Sequence, residues 1–450
     1  MLGDKLVRSI ILIELPWGRD KDPRVPLGHA SLLASLQKFG EGEVISIVAP
    51  INDSSTNPHS LKSRILKLSE VRGDLDLAIG AYVWAEDVIK ELLVLLRASG
   101  FTGRIILGGP QISYTPCELE ELYPEADVFV RGYGEMAIVG LFNDPGMTNI
   151  EGAHFAGQTD LNLQTSVDLS VLPSPWLSGA IDPRGQRFIR WETQRGCSFR
   201  CSFCQHKEAG MRLVRRELDE ARIMAEIDLF CRSGVEEIAV LDPIFNMGPL
   251  AKSILQRFID NGFTGKLALQ CRAEMCDDEF LEMTSNLDVK FEFGLQTIHP
   301  EESKAVNRPN NMPKVNEVFD KMNSMGLDYE VSIIFGLPNQ TLSSFQETVD
   351  WCLRKKVPVI KAFPLMLLRG TEVEQRRDDW GLLESEGSMP EVIESDTFSQ
   401  QDWGQMCKVS QALKETEERH PDNINQLNRI GSGLQAEKGR FRPESNIIAG

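Results

Sequence analysis

Short apolar runs alternate with segments of helical period along most of the chain, and this alternation limits the possible folds more than any other feature. In the first block, to about residue 140, strand-like runs fall at 9–15, 43–49, 77–83, 104–107 and 127–130. Helical patterns at 29–39, 61–68 and 85–99 separate them. Buried strands alternating with helices imply an α/β fold, a parallel sheet covered on both faces. Ligands of such sheets sit beyond the carboxyl ends of the strands. The residues expected there are Pro16-Trp17-Gly18, Ala49-Pro50, Tyr82 to Trp84, Gly108-Gly109-Pro110 and Gly132-Tyr133-Gly134-Glu135.

From 141 to 186 the pattern weakens into Pro- and Gly-containing turns, which reads as a linker. A second block, 187–384, opens with a strand at 188–193 and continues with strands at 237–241, 266–270, 289–294, 330–335 and 357–363. Helical stretches at 216–233, 277–284, 314–325 and 345–355 lie between them. Six βα units suit a partial parallel barrel and are too few for the closed eight-stranded form. The extension from 385 to 450 is polar, with a helical pattern at 405–418. Its last twenty residues, with Gly431, Gly433, Gly439 and Gly450, read as poorly ordered.

Composition narrows the partners. The 450 residues carry a net charge of −18 and no Lys/Arg-rich run, which disfavours a nucleic-acid partner. The apolar run near the N-terminus lacks a cleavage pattern, and no stretch reaches membrane-spanning length, so neither secretion nor a membrane is expected. Nine cysteines, three clustered and six scattered, do not form a disulfide framework. A cytoplasmic protein with a metal cluster is the expectation. Of the scattered six, Cys271 and Cys276 read as buried thiols, and Cys117, Cys231, Cys352 and Cys407 as helix or core fillers.

The clustered three, Cys197, Cys201 and Cys204, have the spacing C-x3-C-x2-C and begin just after a predicted strand. That is the carboxyl edge, where barrel active sites form. Arg195-Gly196 supplies a turn, and Gly196 lets the backbone come close to a ligand. Three thiolates on an iron–sulfur cubane leave one iron open for a chelating ligand. A structural zinc site, with His206 as a fourth ligand, is the competing reading and would make the protein a non-catalytic scaffold.

The triplet, with Phe203 before its last cysteine, resembles the signature of radical S-adenosylmethionine (SAM) enzymes. The similarity continues through Leu241-Asp242-Pro243-Ile244-Phe245-Asn246, Phe293-Gly294-Leu295-Gln296-Thr297 with Asn307-Arg308, Phe335-Gly336-Leu337-Pro338, and the stretch from Phe363-Pro364 to Glu372. The resemblance implies a [4Fe–4S] cluster on Cys197, Cys201 and Cys204 whose open iron is chelated by SAM. One electron would then cleave the sulfonium to a 5′-deoxyadenosyl radical. By the same resemblance Phe203 backs the adenine, Arg272, Glu274 and Gln296 hold the ribose and carboxylate, and Gly336 shapes the SAM loop.

The first block resembles the Rossmann-like cobalamin-binding domain of one branch of that family. The matching stretches are Val25 to Leu32, Leu107-Gly108-Gly109-Pro110 and Val130 to Glu135. The likeness implies a bound cobalamin, with Gly108 and Gly109 giving room for its tail and Trp84 covering a corrin face or filling the pocket. The D-x-H-x-x-G motif that supplies an axial histidine is absent: Leu27 and Leu32 stand at its Asp and Gly positions, and His29 reads as a helix-start residue. The activity implied is cobalamin-dependent methylation of an unactivated carbon, or a phosphorus, in a small metabolite or peptide. An electron donor such as flavodoxin or ferredoxin would serve it. The alternative is a radical rearrangement, cyclisation or oxidation beside a vestigial front domain.

Overall fold

The computed structural model describes residues 8–72, 75–205, 215–387 and 389–433. It divides into two compact units, the first running to Arg190 and the second from Trp191 onward.

In the first unit, strands β1 (Ser9–Glu14), β2 (Glu43–Val48), β3 (Leu75–Gly80), β4 (Ile105–Gly108), β5 (Val128–Val130) and β6 (Ala153–Phe155) form one sheet in the order β2-β1-β3-β4-β5-β6. The first five pair in parallel. This is the doubly wound order of flavodoxin-like sheets. Every residue of β1 is buried, because both faces are covered. On one face Ile11, Ile13 and Leu15 meet Leu61 and Ile65 of helix Pro58–Arg72 and Ile89, Leu92, Leu93 and Leu96 of helix Glu86–Ala98. The last four recur at helical spacing and so form a single stripe. On the other face Ile10 and Leu12 meet helices Leu27–Phe39 and Glu135–Asn143.

Two expectations are corrected here. The segment read as a linker supplies β6, which pairs antiparallel with β5 and covers the sheet's edge. The third strand ends at Gly80, not residue 83, because the chain turns into a short 3-10 segment at Val83–Ala85 that the Trp84 indole ties to Leu15 O at 3.0 Å.

A second six-stranded sheet has β7 (Phe188–Trp191) at its edge, and a small pair, β8 (Gln194–Arg195) and β9 (Arg216–Glu217), follows it. The sheet continues through β10 (Glu237–Val240), β11 (Lys266–Cys271), β12 (Asp288–Gln296), β13 (Asp328–Phe335) and β14 (Val359–Pro364) in the order β14-β13-β12-β11-β10-β7. Its pairs from β10 to β14 are parallel. Along β12 the side chains alternate: Val289, Phe291, Phe293 and Leu295 are buried, whereas Lys290, Glu292 and Gln296 on the other face are half-buried. Such alternation separates the packed outer face of a barrel sheet from a polar inner one. On the neighbouring strands Lys290 and Lys361 both bind the buried Glu330, at 2.9 and 2.6 Å.

The helix expected from residue 216 starts at Glu220, where the Asp219 carboxylate caps it by accepting from Arg222 N at 2.9 Å. Residues 216 and 217 instead pair with the strand leading to the cysteines. The C-terminal extension packs within this unit as a hairpin, β15 (Leu383–Glu384) and β16 (Val392–Glu394), followed by helices Gln400–Glu415 and Ile424–Gly433. It covers the edge of β14, where His420 Nε2 accepts from Ile360 N at 3.1 Å and burial keeps that imidazole neutral. Gly431 and Gly433, expected in a disordered end, lie inside the final helix, because Leu427 and Gly431 are buried against the helix before it. The rest of that expected end lies outside the described residues. No described helix is long and apolar enough to cross a membrane.

Candidate functional site

The cysteine loop follows β8 at the carboxyl edge of the barrel sheet. Gly196 turns it with φ of 79°, a conformation that costs glycine little. A turn closed by Cys204 N donating to Cys201 O at 3.2 Å holds Phe203, half-buried, between the second and third cysteines. Hydrogen bonds then fix the loop to the segments that follow β12 and β14. Ser202 N donates to Val306 O at 2.9 Å, Val373 N to Ser202 O at 3.0 Å, and Asn307 Nδ2 to Arg200 O at 3.0 Å. Gln205 Nε2 reaches Arg369 O at 2.9 Å, and the Arg272 guanidinium lies over the Phe199 ring at 4.2 Å. Among the described residues, no three His, Cys, Asp or Glu side chains gather as ligands of a single metal ion. His206 lies outside the described residues.

Two residues of the 241–246 motif set the loop's neighbours. Asp242, 1% exposed, accepts from Thr193 N at 2.7 Å, from Gln194 N at 3.2 Å and from the Thr193 hydroxyl. It thereby fixes the turn just before Arg195-Gly196-Cys197. Burial raises its pKa to about 7 despite these bonds. Asn246 grips Arg272 from both sides, accepting from its N at 3.1 Å and donating to its O at 2.9 Å.

Arg272 is buried and donates to Pro309 O at 2.8 Å and to Glu274 Oε1 at 3.2 Å, while its Nε has no hydrogen-bond partner. Glu274 Oε1 also lies 3.4 Å from Asn311 N. Gln296 follows a bulge in β12 and holds φ at 68°, a strained region for a residue with a side chain. Its Oε1 is buried without a partner, and its amide nitrogen occupies the space that a Cβ on Gly294 would take. Gly336, with φ of 88°, shapes a turn by donating its N–H to Gln340 Oε1 at 2.7 Å.

Sequence reasoning named Arg308 only as part of a motif and gave it no role. It is buried, and burial together with the nearby Arg272 charge lowers its pKa, opposed by Cys201, Glu274 and Cys197. Burial raises the Cys201 pKa in turn, opposed by Arg308 and Arg272. Two guanidinium groups thus stand close to the thiols. Only the fold brings them there, since Arg308 lies more than a hundred residues along the chain from Cys201.

In the first unit the Trp84 indole stacks on Tyr82 at 4.8 Å. Gly108 and Gly109 behave differently. A Cβ on Gly109 would meet Ala81 O at 2.9 Å, and its φ is 90°, so the fold itself demands glycine there. A Cβ on Gly108 would find its nearest atom at 3.6 Å, so the fold leaves that space free. His29 is buried, with Nε2 2.7 Å from Ser46 Oγ. A cavity of about 150 Å³ opens at the ends of β1 and β2, lined by Trp17, Arg19, Asp22, Arg24, Pro50 and Arg190.

Among the remaining cysteines, Cys271, Cys276 and Cys352 are buried and Cys231 and Cys407 half-buried. Burial pushes the Cys276 thiol up to about 12 and Cys231 to about 11. Cys117 is exposed, which corrects its reading as a filler.

A three-cysteine loop latched at the carboxyl edge of a six-stranded barrel sheet is the arrangement of a radical SAM domain, and residues 191–352 match the Radical SAM superfamily. The chain is 25% identical over 300 residues to the cobalamin-dependent radical SAM methyltransferase TokK of Streptomyces tokunonensis, covering 61% of this chain and 44% of that protein. It therefore spans less than half of that relative's length. Its fold resembles that of the radical SAM methyltransferase TsrM from Kitasatospora setae, solved with tryptophan and a SAM analogue. The TM-score is 0.67 at 17% identity, over 82% of this chain and 76% of TsrM. It also resembles the cobalamin-dependent SAM radical enzyme OxsB, solved with aqua-cobalamin and SAM. There the TM-score is 0.69 at 14% identity, over 94% of this chain and 70% of OxsB.

Proposed function

We propose that this protein is a cobalamin-dependent radical SAM enzyme that methylates an unactivated carbon, or a phosphorus, of a small metabolite or peptide. The observation that carries the reading is a pair of buried, unpaired polar atoms, Arg272 Nε and Gln296 Oε1, on the strand ends beside the cysteine loop. A buried donor and acceptor left without partners are costly in a finished fold and are expected where a ligand completes them. Cys197, Cys201 and Cys204 would hold three irons of a [4Fe–4S] cluster and leave the fourth open. SAM is bound beside Phe203, Arg272, Glu274, Gln296 and the Gly336 turn, and a corrinoid at the glycine-lined end of the front sheet. The chemistry these groups supply when bound is one-electron cleavage of a sulfonium and carriage of a methyl group.

The chain's own residues do the rest. Arg272 and Arg308 place positive charge where anionic sulfur and carboxylate gather, in a site whose burial strengthens the attraction. Asp242 and Asn246 hold the loop and Arg272 in register before any ligand arrives. The C-terminal hairpin meets the ends of β13 and β14, through Val392 N to Leu365 O at 2.8 Å and Thr397 Oγ1 to Gln340 O at 2.6 Å. It caps that side of the barrel mouth and takes part in substrate selection. A flavodoxin- or ferredoxin-type donor supplies electrons.

The test is anaerobic reconstitution with iron, sulfide and hydroxocobalamin, followed by product analysis. Methyl transfer yields S-adenosylhomocysteine together with 5′-deoxyadenosine. Turnover giving 5′-deoxyadenosine alone, without a bound corrinoid, supports the second reading, a radical rearrangement, cyclisation or oxidation. That reading is favoured by His29, whose ring is committed to Ser46 and is not free to act as an axial ligand. A colourless protein containing zinc would overturn both.

A further inference from the structure

The front sheet runs β2-β1-β3-β4-β5, so its winding reverses between β1 and β3. Open α/β sheets bind ligands at such a switch point, beyond the carboxyl ends of the strands. The residues ending those two strands are Glu14 and Gly80. Glu14 closes a strand that is otherwise Ser-Ile-Ile-Leu-Ile, and only 5% of it is exposed. Its Oε2 lies 2.9 Å from where a Cβ on Gly80 would stand, so the bare glycine is what admits the carboxyl.

Among the described residues, no side chain or backbone group hydrogen-bonds that carboxyl, and burial alone acts on it, raising its pKa to about 8. The groups packed around it offer no cation. From the β3 side comes the Tyr82 phenol, whose ionisation Glu14 opposes. The Tyr82 hydroxyl in turn lies 3.8 Å from the Cβ position of Gly28, at the start of helix Leu27–Phe39. His29 of that helix is held by Ser46 of β2, and burial lowers its pKa to about 4, leaving it uncharged at neutral pH. On the same helix, Ser31 donates to the buried Glu135 at 2.9 Å.

A buried acid with no partner is a cost the fold has no use for by itself. We propose that Glu14 positions the ligand of the front unit, donating its carboxyl O–H to a neutral acceptor, an amide carbonyl or ring nitrogen, of a corrinoid seated at the β1/β3 switch point. This rests on the cobalamin reading above. The acceptor must be neutral because a phosphate or carboxylate would find no positive charge beside Glu14. The peripheral amides of a corrinoid meet that requirement. Gly28, Gly80 and Gly108 leave the surrounding rim without side chains, as a bulky ring system needs.

Hydroxocobalamin titration of the full chain, followed by corrin absorbance from pH 6.5 to 9.5, tests this. Wild-type affinity should be level up to about pH 8 and then fall by about tenfold per pH unit as the donor proton is lost. Glu14→Gln keeps a neutral donor and should bind within about threefold of wild type, with no fall above pH 8. Glu14→Leu should bind about tenfold more weakly at pH 7. If Glu14→Leu does not fold, the contrast between wild type and Glu14→Gln above pH 8 still decides. A wild-type profile that stays level through pH 9.5, or Glu14→Leu binding as tightly as wild type, overturns the role of Glu14 and leaves the corrinoid reading standing. No corrinoid binding by wild type at any pH overturns both.

Discussion

The two sheets end in carboxyl edges of opposite character. At the barrel edge, charge is concentrated: Arg272, Arg308 and Asp242 are all under 10% exposed, and the cysteine loop is latched to the segments that follow β12 and β14. At the front edge, the lining beside β1 and β3 is glycine, aromatic rings and the buried Glu14, whereas Arg19, Arg24 and Arg190 line the cavity at the ends of β1 and β2. The first edge suits small anionic groups that must be held in one place, because fixed charges in a buried site act strongly and directionally. The second suits a large neutral ligand, for which bare backbone and a single donor give shape without electrostatic cost. On the function proposed above, the same α/β architecture would serve two ligand chemistries by changing what stands at the strand ends.

The contrast can be broken most sharply at the cysteines. Cys201→Ala should abolish the cluster and all SAM cleavage, measured as iron content after reconstitution and as 5′-deoxyadenosine. Corrinoid binding at the front edge should persist in the same protein. Next in size is Asp242→Ala, which leaves the Thr193 and Gln194 donors unpaired. It should cost about 3 kcal/mol in urea denaturation and lower cluster occupancy.

A pH series then reads the burial of Glu14. Glu14 releases its proton near pH 8 in the fold and near 4.5 when unfolded. Between those values the folded chain keeps a proton that the unfolded chain has lost, so rising pH favours unfolding by about 1.4 kcal/mol per unit. Asp242, raised to about 7, adds a slope of the same sign below pH 7, so Glu14→Gln should remove the Glu14 share and leave almost none between pH 7 and 7.5, as read from denaturation midpoints. A Glu14→Gln slope equal to that of wild type would show that Glu14 is ionised in the fold.

Smaller effects distinguish the paired glycines. Gly109→Ala should destabilise the chain by about 1–3 kcal/mol, from its positive φ and its contact with Ala81. Gly108→Ala should leave stability within about 0.5 kcal/mol of wild type while weakening corrinoid binding, measured by titration. Also small, Arg272→Lys keeps the charge but loses the planar stack on Phe199. A loss of about 0.5–1 kcal/mol in stability is expected, with weaker SAM binding by equilibrium dialysis.

Much of this architecture was legible in the chain. Strands such as β1 and β12 announced themselves because a buried strand must be apolar, continuously when both faces are covered and alternately when one is polar. The cysteine spacing and the glycine pairs could be read directly, since ligand geometry and backbone freedom act locally. The β6 strand could not, because Ala153-His154-Phe155 is too short to show a period and is made a strand by the exposed edge of β5. Nor could the different reasons for Gly108 and Gly109, which depend on how near Ala81 and Val130 lie across the sheet.

By itself, then, the sequence determined the two α/β blocks, the three thiols and the strand ends where ligands would sit, because hydrophobic period and motif spacing are properties of contiguous residues. Tertiary structure alone decided which distant groups converge there. It carried Arg308 to the cysteines, closed Asp242 over Thr193, and buried Glu14 so that its pKa rises to about 8. Burial and charge proximity depend on packing between elements far apart in the chain, and no local pattern encodes them.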